Sequence, residues 1–433
     1  MKTTRTMKII KKLKKFIKIL GPGFISGASD DDPSGIATYS QTGAQFGYGQ
    51  LWVALFSFPF MVVIQEMCGR IGMVSGKGLS GVIKEHYPKK ILYFAVILLS
   101  IANVINIGAD LGAMASAGQL IIGVPSIIWL VGIALLIVGL EVLITYKVYA
   151  KYLKYMALTL FAYVITAFII KEDWGKVIYA TFVPSFSINK DYLLNIVAIL
   201  GTTISPYLFF WQTNQEVEEG HEKNKLGLKA VGTAKGIPDI KKKDVRNMKL
   251  DTNAGMLLSN LVMFFIIVTT ASTLRAQGIT HIDTATQAAQ ALKPLAGNFA
   301  FFLFAIGIIG TGLLAVPVLA GSAAYAISEI FNWNEGLNKK LNKAPRFYGI
   351  IIAATLIGII INFLPIKPFK MLYYTAIING IAAPPLMVLV MLTANNKKIM
   401  GKYSNAAFSN IMGWIITVIM VIASIALLVS IFF

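Results

Sequence analysis

The chain has 433 residues, of which 56% are hydrophobic and only 14% are charged. A soluble protein carries about a quarter charged residues, so this composition predicts a polytopic membrane protein and excludes a soluble globular domain. The single cysteine, Cys68, excludes an internal disulfide framework and a cysteine-based metal cluster. The net charge of +19 suits either a nucleic acid or a membrane surface, and its distribution along the chain decides between them.

An acidic interruption marks the first apolar stretch, residues 17–46, which is otherwise long and apolar enough to enter a bilayer. The interruption consists of Asp30, Asp31, Asp32 and Pro33. Because proline lacks an N–H and restricts the residue before it, we expect the helix to break here. A carboxylate beside freed carbonyl oxygens is typical of a cation site in a transporter. The alternative is an acidic surface loop, with the first span beginning at Leu51.

Eleven apolar runs of about twenty residues, two of them broken, predict eleven membrane spans. They cover residues 17–46, 50–70, 91–121, 125–146, 152–170, 191–219, 250–276, 297–331, 347–365, 370–393 and 407–432. Lys and Arg concentrate in every second connection, on the side of the basic N-terminus, as the positive-inside rule requires. We therefore predict a multi-pass protein of a prokaryotic plasma membrane, with a cytoplasmic N-terminus and an extracellular C-terminus. Attraction to anionic lipid accounts for the basic excess, and no nucleic-acid partner is expected.

A second break is predicted in the sixth span, residues 191–219, where Pro206 follows Thr202 and Ser205. The two proline breaks are five spans apart. This spacing predicts a five-plus-five inverted repeat in which spans one and six face each other across a central site. A simple proline kink is the alternative for each break taken alone. The longest inner connection, about residues 220–248, is rich in Gly and Lys and is expected to be weakly ordered.

These features divide the chain into three parts. Residues 1–16 are basic and have no small-residue cleavage site after a short apolar core, which predicts a retained cytoplasmic tail. Residues 17–393 form the transporter core, with one repeat at 17–170 and the other at 191–393. An additional transmembrane helix is predicted at 407–432.

Several short segments carry a resemblance to a known family. They are GPGF at 21–24, Asp32-Pro33-Ser34-Gly35, QEMCGRIGMVSGKGL at 65–79, Ala109-Asp110-Leu111 and Ser205-Pro206-Tyr207. From about Gly21 to Leu392 the chain resembles the NRAMP family of divalent-metal transporters. The resemblance implies an all-α polytopic membrane protein with a LeuT-like fold, about eleven transmembrane helices, and a divalent metal ion as the transported substrate.

The chain departs from the family pattern at several positions. The family's aspartate is retained as Asp32, but its asparagine is Gly35, its methionine is Ser205, its histidine is Tyr207, and a glutamate of span three is Ala113. Losing the methionine removes a soft thioether that favours Mn²⁺, Fe²⁺ or Cd²⁺, and leaves an oxygen site with extra room that suits Mg²⁺. The pattern is similar to the NRAMP-related branch of magnesium transporters. The resemblance links the histidine and the glutamate to proton movement, so their absence implies transport without proton coupling.

The candidate metal ligands come from both breaks and from the tenth span. They are Asp32, Asp31, Gly35, Thr202, Ser205, Tyr207 and Asn379. We expect Asp32 to ligate directly, Asp31 to supply outer acceptors, and Gly35 to contribute by being small. Thr202 would offer its carbonyl oxygen, and Ser205 its hydroxyl or a bridging water. The alternative for the Ser205 hydroxyl is a hydrogen bond to its own helix.

Another polar set lies in the third span. Asn103, Asn106 and Asp110 share one helical face by their spacing. They line a water path or form a polar packing network between helices, and the sequence leaves both interpretations open.

The sequence as a whole predicts a transporter that takes up Mg²⁺, with Mn²⁺ tolerated, by alternating access and without proton coupling. Two alternatives remain: a proton-coupled Mn²⁺/Fe²⁺ importer of the NRAMP type, and a cation-coupled carrier of organic solutes with the same fold. An enzyme is not expected, because no nucleophile–base pair, nucleotide loop or redox centre is recognisable. No cofactor is expected beyond the transported metal ion, the expected surroundings are the lipid bilayer, and the oligomeric state stays open.

Overall fold

The computed structural model describes residues 19–144, 148, 157–170, 172–187, 189–222 and 240–432, so the predicted tail at 1–16 lies outside it. Within these ranges the regular structure is helical. The helices of eight or more residues are α1 Pro22–Asp30, α2 Pro33–Phe46, α3 Trp52–Ser75, α4 Leu79–His86, α5 Lys89–Ile122, α6 Ser126–Leu143, α7 Phe161–Ile169, α8 Trp174–Phe182, α9 Lys190–Thr203, α10 Pro206–Glu222, α11 Lys242–Thr273, α12 Ala300–Phe331, α13 Pro345–Ile361, α14 Pro368–Asn395 and α15 Ala407–Phe432. Shorter helices lie at Ala285–Ala289, Lys293–Ala296 and Lys397–Met400.

The helices reproduce the predicted membrane spans. Eight stretches of the described chain are long and apolar enough to cross a bilayer. The other predicted spans correspond to the α1–α2 pair and to two shorter apolar helices, Leu158–Ile169 and α13. The fold class predicted from the sequence is therefore confirmed, and its division into two repeats stays a prediction.

Two peripheral spans show which surface faces lipid. In α6, Leu135 is 68% exposed, and in α15, Ile422 is 61% exposed. A water-soluble protein would not display such a surface of large aliphatic side chains, whereas a bilayer covers it. Buried polar residues, by contrast, include those at the two breaks: Asp30, Asp31, Asp32, Thr202 and Ser205 are each at most 2% exposed.

Some boundaries differ from the predicted ones. Helix α11 begins at Lys242, well before residue 250, and its start is stabilised by Asp244, whose carboxylate accepts the Lys241 N–H at 3.2 Å. Residues 242–249 were not included in the predicted span because they are largely charged, and the search was for apolar runs. Charged residues at the end of a membrane helix are expected where it continues into water. The predicted loose connection at 220–248 is therefore shorter, and its central part, 223–239, lies outside the described residues.

Both broken spans are positioned by long neighbouring helices. The two halves of span one, α1 and α2, pack on α11, while α9 packs on α14 and α10 packs on α3 and α12. The contact between α1 and α11 is backbone to backbone: a Cβ added to Gly27 would lie 2.1 Å from the carbonyl carbon of Gly255. Glycine is therefore required at this crossing.

The substitution Gly27→Ala is expected to push α1 away from α11 and to lower the free energy of unfolding by about 1–3 kcal/mol, the usual cost of overpacking. The matched control is Gly139→Ala in α6, where the added Cβ would meet no heavy atom within 4 Å. Thermal unfolding of the detergent-solubilised protein measures both variants. Equal unfolding midpoints for the two variants would contradict this account of the crossing.

Candidate metal site

The first break lies between α1, which ends at Asp30, and α2, which begins at Pro33. Asp32 is the N-cap of α2: its Oδ1 accepts the backbone N–H of Gly35 and the hydroxyl of Ser34, both at 2.7 Å. A carboxylate in this position also interacts favourably with the positive end of the helix dipole. Asp32 thus has a structural role in addition to its predicted role as a ligand.

The second oxygen of Asp32 belongs to a polar network that spans three helices. Asn106 of α5 donates its Nδ2 to Asp32 Oδ2 and to Asp110 Oδ2, each at 3.0 Å. Asn379 of α14 donates to Asn106 Oδ1 at 3.0 Å, and its own Oδ1 is buried without a hydrogen-bond partner. The structure therefore links Asn379 to Asp32 through Asn106 and adds Asn106 and Asp110 to the surroundings of the first break.

Asp30 and Asp31 face a different helix. The hydroxyl of Ser259 in α11 lies 2.7 Å from Asp30 Oδ2 and 3.2 Å from Asp31 Oδ1. Asp30 is completely buried and Asp31 is 2% exposed. The carboxylates of Asp30, Asp31, Asp32 and Asp110 are thus all enclosed, and no ion pair between described residues involves any of them. Carboxyl groups enclosed at this depth are costly and are typical of cation sites in membrane proteins.

The second break separates α9, which ends at Thr203, from α10, which begins at Pro206. Pro206 cannot donate to the carbonyl of Thr202, four residues earlier. The Ser205 hydroxyl takes its place, with its one hydrogen within reach of the Thr202 carbonyl at 2.8 Å and of the Gly201 carbonyl at 3.0 Å. Bonding to its own helix, the alternative weighed for Ser205, is therefore present, and the hydroxyl oxygen offers only its lone pairs to a ligand.

Gly35 brings the two breaks together. A Cβ at Gly35 would lie 3.1 Å from both the Asp30 carbonyl oxygen and the Thr202 Oγ1. In this closed arrangement the missing side chain allows oxygen atoms of both broken spans to approach closely, rather than leaving the extra room expected from the sequence.

Tyr207 braces one broken helix against the other. Its hydroxyl donates to the carbonyl of Ser29 at 2.9 Å. The helical partner of that carbonyl would be the N–H of Pro33, which does not exist. Tyr207 therefore stabilises the end of α1. Its hydroxyl, which was predicted to be a metal ligand, is engaged in this contact between helices.

The substitution Tyr207→Phe is expected to leave the buried Ser29 carbonyl unpaired and to lower the free energy of unfolding by about 1–3 kcal/mol. Denaturation of the full-length protein measures this loss. Tyr163→Phe is the matched control, because the Tyr163 hydroxyl is also buried but makes no geometrically acceptable hydrogen bond. A loss for Tyr163→Phe as large as that for Tyr207→Phe would contradict the bracing role.

The backbone N–H groups at the start of α1 are satisfied by another acid. Asp251 of α11 accepts hydrogen bonds from the backbone N–H groups of Gly21 and Gly23 at 2.8 Å and of Phe24 at 3.1 Å. The first turn of a helix has no internal partners for these donors, so Asp251 fixes that end of α1.

The far end of α2 is held as well. Gln41 accepts the backbone N–H of Ile282 at 2.9 Å and donates to the Thr280 carbonyl at 3.1 Å. With both ends of span one held and its three aspartates at most 2% exposed, the site is occluded from solvent in this structure.

The donor chemistry of this region is that of a hard-cation site. Among the described residues no three His, Cys, Asp or Glu side chains converge as a metal cluster. The groups collected at the breaks are carboxylate, amide, hydroxyl and carbonyl oxygens. A site that offers one or two carboxylate ligands together with neutral oxygen ligands suits an ion that retains part of its water shell.

Some residues near the first break were indicated by the sequence and others were not. The shared face of Asn106 and Asp110 was visible in the i,i+4 spacing, and the structure places Asn106 in the network around Asp32. Asn103 points elsewhere, donating to the Leu319 carbonyl and the Ser322 hydroxyl. Ser259 carried no signal, because a lone serine in an apolar span is commonplace.

The comparisons with known proteins agree with this architecture. A family model described as Nramp, natural resistance-associated macrophage protein-like, matches residues 23–430. The chain belongs to the Nramp family. One Nramp relative, the divalent metal cation transporter MntH of Caldanaerobacter subterraneus subsp. tengcongensis, is 27% identical over 406 residues, which cover 93% of this chain and 90% of the relative. MntH of Deinococcus radiodurans is 25% identical over 94% of this chain and 89% of its own length.

Solved structures show the same fold. An Nramp-like structure, the Eremococcus coleocola manganese transporter, aligns with a TM-score of 0.75 at 17% identity, covering 97% of this chain and 87% of its own. Mhp1, a nucleobase-cation-symport-1 family transporter, aligns with a TM-score of 0.56 at 13% identity, covering 95% and 92%. The Nramp-family chain therefore has the LeuT-like fold, as predicted.

Proposed function

We propose that this Nramp-family protein carries divalent metal cations across a membrane, with Mg²⁺ as its main cargo and Mn²⁺ as a secondary one. Two kinds of support exist for the broader claim. The relatives include divalent metal cation transporters, and the four buried aspartates supply negative charge at the centre of the spans. Charged side chains at such depth are costly and are retained for function.

One observation carries the choice of Mg²⁺. At the second break, where the family pattern implies a methionine thioether, Ser205 presents a hydroxyl bonded to the Thr202 carbonyl. With only oxygen donors on both breaks, nothing there favours a soft ion, and Mg²⁺ prefers one or two carboxylates together with retained water. In this proposal Asp32 provides the charge, and the free Oδ1 of Asn379 supplies a neutral oxygen donor.

Transport without proton coupling is the second element of the proposal. The position of the family's histidine holds Tyr207, whose hydroxyl is engaged with the Ser29 carbonyl. The position of the family's glutamate holds Ala113, which is completely buried and cannot carry a proton. The membrane potential then supplies the driving force, about 2.3 kcal/mol per charge per 100 mV and twice that for a divalent ion.

The proposal includes the orientation predicted from the Lys and Arg distribution. The N-terminus lies in the cytoplasm and the C-terminus outside a prokaryotic plasma membrane, so that transport down the potential is uptake. The inner end of span one is then the end capped by Asp251. Alternating access would release that end towards the cytoplasm and the Gln41 end towards the outside.

A proton-coupled Mn²⁺ importer is the competing function, and the manganese transporter among the solved structures gives it weight. Metal uptake into proteoliposomes separates the two. We expect Mg²⁺ and Mn²⁺ to enter, with Cd²⁺ excluded or weak. Rapid Cd²⁺ and Mn²⁺ entry with no Mg²⁺ entry would overturn the proposal and favour a transition-metal importer.

A further inference from the structure

One buried asparagine joins the second half of span one to the first half of span six. Asn195 of α9 is completely buried, and its Nδ2 donates to the Thr42 hydroxyl of α2 at 2.9 Å and also to Gln50 Oε1. Its Oδ1 accepts the hydroxyl of Tyr373 in α14 at 3.0 Å. A single amide thus ties α9 to α2, to the connection between α2 and α3, and to α14. We call these four residues the Asn195 clasp.

The clasp is a neutral and fully paired network. The Thr42 hydroxyl passes its own hydrogen on to the Thr38 carbonyl at 2.8 Å, and Gln50 donates to the Tyr192 carbonyl at 3.2 Å. Neutral groups of this kind separate at little cost when water takes over their hydrogen bonds, and at a much higher cost when they are left unpaired in a dry interior. Opening of the clasp therefore requires water to enter between the helices.

A row of hydroxyl groups leads from the clasp to the first break. Thr42, Thr38 and Ser34 lie four residues apart and so share one face of α2. At its far end the row reaches Asp32, since the Ser34 hydroxyl donates to Asp32 Oδ1 at 2.7 Å. In the middle, the Thr38 hydroxyl is completely buried and makes no hydrogen bond. At about 1.5 Å per helical residue, the row covers about 15 Å between the clasp and the candidate ligand.

We propose that the Asn195 clasp is the outer gate of the transport path, and that the hydroxyl row is the route of the hydrated ion from this gate to Asp32. The inference rests on the proposed function for the ion and for the orientation of the chain. Hydroxyl oxygens suit an ion that keeps several of its waters, because they accept hydrogen bonds from those waters. The clasp residues act by opening and closing the path, and they are not metal ligands.

Cysteine labelling from outside the cell tests the gate. Cys68 is the only cysteine of the chain, so Thr38→Cys in a Cys68→Ala background places a single thiol on the hydroxyl row. A charged, membrane-impermeant thiol reagent is added to intact cells, and the rate of its reaction is measured. Asn195→Ala leaves the partners of the amide unpaired only while the gate is closed, so we expect the rate to rise about tenfold or more. Tyr373→Phe removes one hydrogen bond of the clasp and should give a smaller rise.

The matched control is Asn103→Ala, because Asn103 is also a buried asparagine and joins α5 to α12 through the Leu319 carbonyl and the Ser322 hydroxyl. Its labelling rate should equal that of the reporter protein. Unchanged rates in both Asn195→Ala and Tyr373→Phe, or an equal rise in Asn103→Ala, overturn the gate. Mg²⁺ flux into proteoliposomes together with unchanged labelling overturns this inference alone. Faster labelling of Asn195→Ala without Mg²⁺ flux in the unmodified protein overturns the proposed function and leaves the gate.

Discussion

Replacing Asp32 by asparagine is expected to lower metal transport more than about 100-fold while leaving the protein folded. Outer-shell changes at metal sites cost about 10- to 100-fold, and loss of a direct charged ligand should cost more. The structure makes asparagine the informative replacement, since Asp32 also caps α2 through the Gly35 N–H. The amide oxygen of asparagine keeps that cap, so the variant removes the charge and retains the local structure.

The two roles of Asp32, as a metal ligand and as a helix cap, are measured separately. Initial rates of Mg²⁺ and Mn²⁺ uptake into proteoliposomes report the first, and thermal unfolding reports the second. Asp32→Ala should lose both the charge and the cap, and therefore both transport and about 1 kcal/mol of stability. Asp283→Asn is the matched control: this exposed aspartate pairs with Lys367 at 2.8 Å, away from the breaks. Normal uptake by Asp32→Asn would mean that Asp32 acts as a helix cap alone.

The second large effect is expected for Ser205→Met. The change introduces a thioether at the second break and removes the hydroxyl that donates to the Thr202 carbonyl. The added thioether favours softer ions, since sulfur binds Cd²⁺ better than a hydroxyl oxygen does. We expect Cd²⁺ uptake to rise about tenfold relative to Mg²⁺, a change in selectivity of about 1.4 kcal/mol.

Competition between Cd²⁺ and Mg²⁺ in the same vesicles measures this ratio. Ser116→Met is the matched control, because the Ser116 hydroxyl makes the same kind of bond, to the Gly112 carbonyl of α5 at 2.9 Å. An unchanged ratio in Ser205→Met, or an equal shift in Ser116→Met, would remove the donor-set argument for Mg²⁺.

The helical architecture was predictable because hydrocarbon imposes a simple rule. A run of apolar residues long enough to cross a bilayer has to be a helix. Pro33 and Pro206 each follow polar residues and begin the second half of a broken span, whereas Pro59 and Pro317 lie inside unbroken helices. The predictions failed where that rule does not apply. The start of α11 at Lys242 lies in water, where charged residues are compatible with a helix. Helices α4 and α8, of 8 and 9 residues, are too short to register as spans.

The candidate site was predictable only where chemistry is visible in the sequence. Aspartates in an apolar stretch are conspicuous, and the resemblance placed Asn379 near them. The contacts made by neutral groups depend on packing that no local pattern encodes. Ser259 meets Asp30 because α1 crosses α11 at the glycine contact, and Tyr207 meets Ser29 because Pro33 leaves a carbonyl unpaired.

The central claim is electrogenic Mg²⁺ uptake without proton movement. Its most direct test is Mg²⁺ flux into proteoliposomes under an imposed potassium diffusion potential, with a Mg²⁺ indicator and a pH indicator in the lumen. We expect Mg²⁺ to enter, a negative interior to accelerate its entry, and the luminal pH to stay constant. Luminal acidification in step with metal entry, or entry of Mn²⁺ alone, would contradict the account and assign the protein to proton-coupled transition-metal import.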